Sequence, residues 1–440
     1  MLFSTISRLL PNETMDYIID QLSDDEQTLS VCSLVCKSWV ARCRVHLLET
    51  VNWQDSLKKD SKTYAFEDLV EQLKRVPDRN SYVKHLSLRG APCLPDDSRP
   101  EVKQRPWLCE VTMRRILSQL PKLKTLTLLC VRLGDGRTDA YSHSSPISEL
   151  TRFKLDRLAL DRVGDPEDDF KPIYRLLDLF ECIGELSVST LRWDCEKGDD
   201  DVSVQRGLSH CSPLPSLRIS CLAVTSQYPI QPVLDYIKPI TESVKTLQCT
   251  FNCWDDIAAA CVFAFDIGSR LEALTFRLNE FMNEEPGTDS NDSDDDEAFE
   301  LNWYDLFPEC SVLRKIEVVA SFRDAEEPRT FASDIPSLLW HALLIFWYCP
   351  PTIDHVALKL ECYHVSPESV LQCMHWETFR KVLQEWKGLR RLTIEISRLQ
   401  TFETVDNNIK ALLEKKLKVM NDGRLEIIIS NPELRCQLED

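Results

Sequence analysis

Glycine is scarce in this chain, with 11 in 440 residues. Nucleotide-binding loops depend on it, because only a residue without Cβ lets the backbone approach a phosphate closely. No G-x-G-x-x-G and no G-x-x-x-x-G-K-[ST] occurs, and Gly134-Asp135-Gly136 reads as a turn. The motifs of covalent and metal-assisted hydrolysis, G-x-S-x-G and H-E-x-x-H, are missing, and so is C-x-x-C. Positive charge is in deficit: 52 Lys and Arg face 71 Asp and Glu, a net charge of −19 at pH 7. That balance opposes nonspecific binding to nucleic acid or to an anionic membrane. The longest apolar run, Leu338 to Cys349, holds His341 and is too short to span a bilayer. The N-terminal MLFSTISRLLP has too short an apolar core for a secretory signal. The expectation is a soluble, intracellular protein, cytoplasmic and/or nuclear, with no nucleic-acid or membrane partner and no cofactor.

Cysteine is abundant, at 18 residues, but scattered and often set in apolar runs, as at Cys32, Cys130, Cys221 and Cys261. Reduced, buried thiols are the expectation. Cys362-Tyr-His364 and Cys373-Met-His375 form two C-x-H pairs, but the usual two-residue gap between zinc ligands is missing. Buried Cys beside hydrogen-bonded His fits them better, so no metal is expected. The tryptophans at 340–347 and 376–386 alternate with Leu and Phe at helical steps and read as core. With 43% hydrophobic and 28% charged residues the chain can bury a sizeable core. Its length calls for more than one ordinary domain or for one elongated repeat domain.

Beyond residue 80 a six-residue core recurs: apolar-x-x-apolar-x-apolar. It starts at Val83, Leu123, Leu155, Ile183, Ile219, Val244, Leu271, Leu313, Ile353 and Leu389, and Leu425–Ile429 reads as a terminal strand. From Val83 to Leu389 the starts span 306 residues in nine steps, a mean period of 34, with single steps from 25 to 42. Most strands follow a helical pattern and a Pro- or Gly-containing turn, as at Val111–Leu120, Ile173–Cys182 and Ser366–Trp386. One strand and one helix per unit at this spacing resembles the leucine-rich repeats, whose units bury their strands only by stacking. The family's Asn after the strand is matched at Asn252 and Asn279 alone; elsewhere the place holds Ala91, Val131, Val163, Leu191, Gln227, Ser321, Glu361 or Ser397. The resemblance implies an irregular solenoid. The alternative is a doubly wound α/β sheet of about ten strands with ligand-binding loops at its strand ends.

The first fifty residues differ. Leu10-Pro11 opens an amphipathic helix with Glu13 and Asp16 in its first turn and Met15, Ile18, Ile19 and Leu22 on its apolar side. Ser23-Asp24-Asp25 breaks it, and Thr28 is the expected N-cap of a second helix carrying Leu29, Cys32, Val35, Cys36 and Trp39. So small a module cannot bury all of these within itself. The pattern resembles the F-box, through Leu10-Pro11, Glu13, Ile18-Ile19, Leu22 and the Cys32–Trp39 run CSLVCKSW, a form frequent in F-box proteins of mushroom-forming fungi. The resemblance implies docking on a Skp1-type adaptor, and through it on a cullin, by Leu10, Pro11, Ile18, Ile19, Leu22, Val35 and Trp39. It also implies that the rest of the chain selects a protein target for ubiquitination. A scaffold that binds the adaptor without directing ubiquitination is the alternative, and no catalytic residue is expected in either case.

The expected organisation is an all-α F-box module over 1–50, then a linker with a capping helix over 51–82 (Tyr64–Val76). An α/β repeat, the irregular leucine-rich-repeat-like solenoid, follows over 83–430, with a tail over 431–440. Polar insertions are expected at 91–106, 134–146 and 194–207. Residues 283–298, NEEPGTDSNDSDDDEA, are too polar to order themselves. Asp289, Asn291, Ser293, Asp295, Glu297 and Glu300 mimic a calcium-loop spacing, but Asp294 stands where glycine is needed, and Ser290 and Ser293 sit beside carboxylates. A target would meet the strand face through Arg89, Arg157, Arg277, Lys315, Lys359 and Arg391, whose surroundings name no ligand class.

Overall fold

The computed structural model describes residues 11–54, 66–90, 107–134, 152–163, 171–189, 217–225, 237–251, 254–279, 309–322, 331–350, 352–362, 366–398, 403–417 and 424–430, with Ile230, Val233, Leu234 and Phe307. Leu10, Asn252, His364, the insertions at 91–106 and 194–207, most of that at 134–146, the acidic stretch 283–298 with its calcium-like spacing, and the tail 431–440 lie outside these residues. The chain divides into two compact units, Met1–Leu217 with Leu438–Asp440, and Arg218–Gln437.

The first unit opens with three helices, α1 (Asn12–Asp20), α2 (Glu26–Val35) and α3 (Lys37–Leu47). Pro11 is the N-cap of α1, and its carbonyl accepts the N–H groups of Thr14 and Met15. The cap of α2 is Asp25, not Thr28: its carboxylate accepts the Thr28 N–H at 2.8 Å and the Thr28 hydroxyl at 2.6 Å. A carboxylate there satisfies an orphan donor and meets the positive end of the helix dipole. The second expected helix is two helices, because Cys36 is extended (φ −144, ψ 132) and interrupts the backbone ladder. Ile19, Leu29 and Cys43 form the core of this module, with Leu22, Cys32, Trp39 and Leu47 packed against them.

The third helix runs directly into a strand, and residues 55–65 of the expected linker lie outside the described residues. Strand β1 (Thr50–Gln54) pairs in parallel with β2 (His85–Arg89), and the Glu49 carbonyl accepts the N–H groups of Lys84 and His85 at 2.8 and 2.9 Å. The Lys84 ammonium lies 2.9 Å from the Glu49 carboxylate. Between them stand α4 (Glu67–Arg75), with Leu69, Val70 and Leu73 buried, and the short α5 (Pro77–Asn80). The unit continues through β3 (Trp107–Leu108), α6 (Glu110–Gln119), β4 (Thr125–Leu129), β5 (Arg132–Leu133), β6 (Phe153–Asp161), α7 (Lys171–Leu177) and β7 (Phe180–Ser189). Its main sheet runs β1-β2-β4-β6-β7, all parallel, beside a two-residue β3–β5 pair.

The second unit contains β8 (Arg218–Thr225), a 3-10 turn (Lys238–Ser243), β9 (Thr246–Phe251), α8 (Trp254–Ile267), β10 (Ala273–Asn279), β11 (Lys315–Phe322) and α9 (Phe331–Tyr348). Then follow β12 (His355–Cys362), α10 (Pro367–Cys373), α11 (Trp376–Glu385), β13 (Arg391–Arg398), α12 (Glu403–Lys416) and β14 (Leu425–Ser430). Each of these strands pairs in parallel with the next in sequence. Among the described residues the strand order reverses in neither unit, so neither shows the switch-point crevice that the doubly wound alternative requires.

The ten motifs run into β2, β4 and β6 through β13, in matching register within each unit, and Leu425–Ile429 lies in β14. Their fourth positions stack as Leu86–Leu126–Leu158–Leu186 in one unit and Leu222–Leu247–Leu274–Ile316–Val356–Leu392 in the other, where Leu425 continues the row. Those side chains are buried from Leu86 through Leu392, as are the first residues of the motifs, from Val83 to Leu389. A one-residue slip would turn every such ladder to the opposite face, which is why register is so well specified. The second motif residue works through its backbone: the carbonyls of Lys84, Lys124, Lys245, Glu272, Arg314 and Asp354 each accept two successive N–H groups of the following strand. In the second unit these residues and Arg390 alternate in sign, and Lys245 and Glu272 close to 2.7 Å.

The place of the family's asparagine holds buried Val131 and Val163 in the first unit, and Asn279, Ser321, Glu361 and Ser397 in the second. The residues before the two valines, Cys130 and Arg162, take left-handed backbone (φ 56 and 52), a conformation held by hydrogen bonds of their N–H groups to Asp161 and Ser189. Gly184 sits where a Cβ would fall 2.5 Å from the Asp156 carbonyl oxygen, so β6 and β7 approach closely only because it has none.

Candidate functional site

The residues of the expected adaptor face divide. Ile18 is 43% exposed and Val35 47% exposed, and Pro11 is exposed too. Ile19 is 1% exposed and belongs to the module's own core, so its assignment to a docking face is corrected: one residue along a helix turns the side chain by about 100°. Leu22 and Trp39 are only partly buried and pack on that same core. Three apolar residues that the sequence reading passed over are open: Tyr17, Val31 and Leu34, the last 85% exposed. Val31, Leu34 and Val35 stand three and four residues apart on α2, so they share one face. That spacing was visible in the sequence, but the stronger Leu29–Cys32–Cys36 stripe masked it.

One polar cluster clamps the module. The Asp20 carboxylate at the end of α1 accepts hydrogen bonds from Arg42 and lies 2.8 Å from His46 Nε2, both on α3. The Arg42 hydrogen bonds, aided by His46, hold the Asp20 carboxyl at about 2 against burial, which pulls it up. A depressed carboxyl stabilises the fold fully above its ordinary value of 3.8, and that contribution is lost as pH falls to about 2. Urea midpoints should therefore fall across that window in the native chain. An Asp20→Asn variant, less stable at neutral pH, should show a shallower fall. Equal slopes would mean that the cluster does not tie α1 to α3.

The expected target-facing residues also divide. Arg277, Lys315, Lys359 and Arg391 lie on one face of the second unit's sheet, opposite the buried ladders. They are not free. Arg277 reaches over β11 to Glu361, at 2.7 Å, and Ser321 donates to the same carboxylate at 2.5 Å. Lys359 bridges Glu317 at 3.0 Å and Glu395 at 3.5 Å, and Lys315 meets Glu317 at 3.2 Å. Arg391 binds Glu426 at 2.6 Å, with Thr393 on the same oxygen at 3.1 Å. Four cations thus face four carboxylates. Burial raises the Glu317 carboxyl, but Lys359 and Lys315 outweigh it and leave it below the ordinary range. Between Lys315 and Arg391 in the ladder stands His355, whose pKa is lowered first by burial and then by those two cations. In the first unit Arg157 pairs with Glu185 at 3.1 Å, and Arg89 is exposed at the end of β2.

Among the described residues no cluster of His, Cys, Asp and Glu could hold a metal ion. Cys362 is buried, and His375 packs its ring edge-to-face on Trp340 with centroids 5.5 Å apart. Burial pushes the Cys362 thiol up to about 12 and Cys310 up to about 11, and raises Cys249, Cys261 and Cys349 as well. Such thiols stay protonated near neutrality and are poor nucleophiles and ligands. Trp376 and Trp386 are core, whereas Trp340 and Trp347 are open on α9, against the expectation of burial. No described helix is long and apolar enough to cross a membrane. The chain matches no protein-family model. It matches no curated protein either.

Proposed function

We propose that the chain is a non-catalytic substrate receptor of an SCF-type cullin-RING ubiquitin ligase. In this reading the three-helix module is an F-box that docks on a Skp1-type adaptor, and the parallel strands of each unit belong to irregular leucine-rich-repeat-like repeats that hold a protein target. The observation that carries it is the open apolar face of α2, Val31, Leu34 and Val35, on a module whose core is already complete without them. Exposed apolar surface on a small folded module marks a docking site. The α1–α3 order and the CSLVCKSW run add the resemblance to the F-box. The solenoid reading rests on parallel strands that pair in chain order and on the Arg277–Glu361 pair, which reaches across an intervening strand as convergent side chains on a concave face do.

The contribution to ubiquitin transfer would be proximity: a bound target is held near the ubiquitin-loaded enzyme, and no bond chemistry falls to this chain. The test is co-expression with a Skp1-type adaptor and a cullin, against a chain cut after Leu48, which spares Glu49 and β1 because both belong to the sheet. A complex containing both partners, lost on truncation, supports the receptor. An adaptor complex without cullin favours a scaffold, and no complex removes the ligase reading.

A further inference from the structure

Among the described residues the last strand of the second unit is open on one side. β14 pairs with β13 on one side and, among the described residues, with no strand on the other. Its side chains extend the buried ladders, Leu425 beside Leu392, Ile427 beside Ile394 and Ile429 beside Ile396. The β13 members are fully buried, yet all six residues of β14 are half-exposed. In a parallel ladder, alternate residues bond to one neighbour and the remainder to the other. The Leu392 N–H donates to the Arg424 carbonyl, so Glu426 and Ile428 turn their backbone groups to β13 while Leu425, Ile427 and Ile429 turn theirs outward. Open edges are ordinarily blunted by Lys, Pro or a bulge. Leu425-Glu-Ile-Ile-Ile-Ser430 has none of these, whereas β1 turns Thr50, Asn52 and Gln54 to solvent.

We propose that this edge accepts an extended segment of a partner protein as an added strand, and that the partner is the target the receptor holds, which rests on the function proposed above. The ladder dictates the chemistry of the segment. Apolar residues at alternate positions would continue Leu425, Ile427 and Ile429, and a Lys or Arg would stand beside Glu426. That carboxylate takes its bonds from Arg391 and Thr393 on Oε2 alone, so Oε1 accepts none from a described residue and can meet an incoming cation. Main-chain hydrogen bonds supply the affinity and the alternate side chains the selectivity.

Amide hydrogen exchange on the full chain tests this, with an end-capped Val-Lys-Val-Thr-Val-Thr peptide as the probe. In dilute chain alone the Ile427 and Ile429 amides should exchange at least about tenfold faster than that of Ile428, which is bonded to β13. Millimolar peptide should slow Ile427 and Ile429 and leave Ile428 unchanged, and a peptide with proline at its third position should not. Slow exchange at Ile427 in dilute chain alone would overturn the proposal, because another part of the chain would then cover the edge. Protection that grows with chain concentration and ignores the peptide would overturn it in favour of a second copy. No protection by the peptide would overturn it outright. Adaptor capture reads a different unit, so loss of capture with peptide protection intact would remove the ligase reading and leave the edge site standing.

Discussion

Phe276→Ala should cost the second unit about 3–5 kcal/mol, the range for emptying a large aromatic site in a packed core. The ring is fully buried on β10, stands between Cys249 and Val318 in the ladder, and meets Phe251 edge-to-face with centroids 4.9 Å apart. No neighbour can collapse into the space without moving a strand fixed on both sides. The loss would be a third or more of the stability of an ordinary domain. Urea unfolding followed by tryptophan emission would show it as a lower midpoint at an unchanged slope. Thr275→Ala, one residue away on the opposite, polar face, should stay within about 0.5 kcal/mol. Similar costs for both would mean that β10 does not bury one face as described.

Leu34→Asp should weaken adaptor binding by more than about a hundredfold, about 2.7 kcal/mol, while leaving the melting curve unchanged. The two readouts separate because Leu34 is 85% exposed: it contributes almost nothing to the module and its whole apolar surface is available to a partner. An aspartate in its place would have to be desolvated on docking. Ile18→Asp and Val35→Asp on the same module should follow in direction. Trp39→Asp should not be used for this purpose, because the indole packs on Ile19, Leu29 and Cys43 and the variant would lose the module itself. Full affinity in Leu34→Asp would show that the open face of α2 is not the docking surface, whatever the fate of the ligase reading.

Phe276 and Leu34 differ in how far the sequence marks them. Phe276 was legible as core from its place in Leu271-x-x-Leu274-x-Phe276, since a two-residue alternation repeated ten times admits one face only. Leu34 was not. Helical periodicity marks a stripe of apolar residues but does not say which part of it the chain covers for itself, and Ile18 and Ile19, adjacent in sequence, fall on opposite sides of that division. The break at Cys36 was hidden for a related reason: one extended residue shifts the axis of the helix but leaves the three- and four-residue spacing of side chains nearly intact. β1 escaped notice because Thr-Val-Asn-Trp-Gln offers only two apolar residues and follows a helix without a turn signal.

The sequence by itself determined where eleven strands lie, that each turns an apolar face to a core, and that nucleotide-loop and metal-hydrolase motifs are absent. These are local or composition-level properties, written in short-range spacing. Only the tertiary structure decided that the strands pair in chain order, and that the helical module passes without a free linker into β1. It alone turned the charged residues of the polar face into paired ones. Arg277 and Glu361 are 84 positions apart. No spacing rule joins two such residues; the parallel register brings them within reach, and it is set by the apolar ladder on the other side of the same strands.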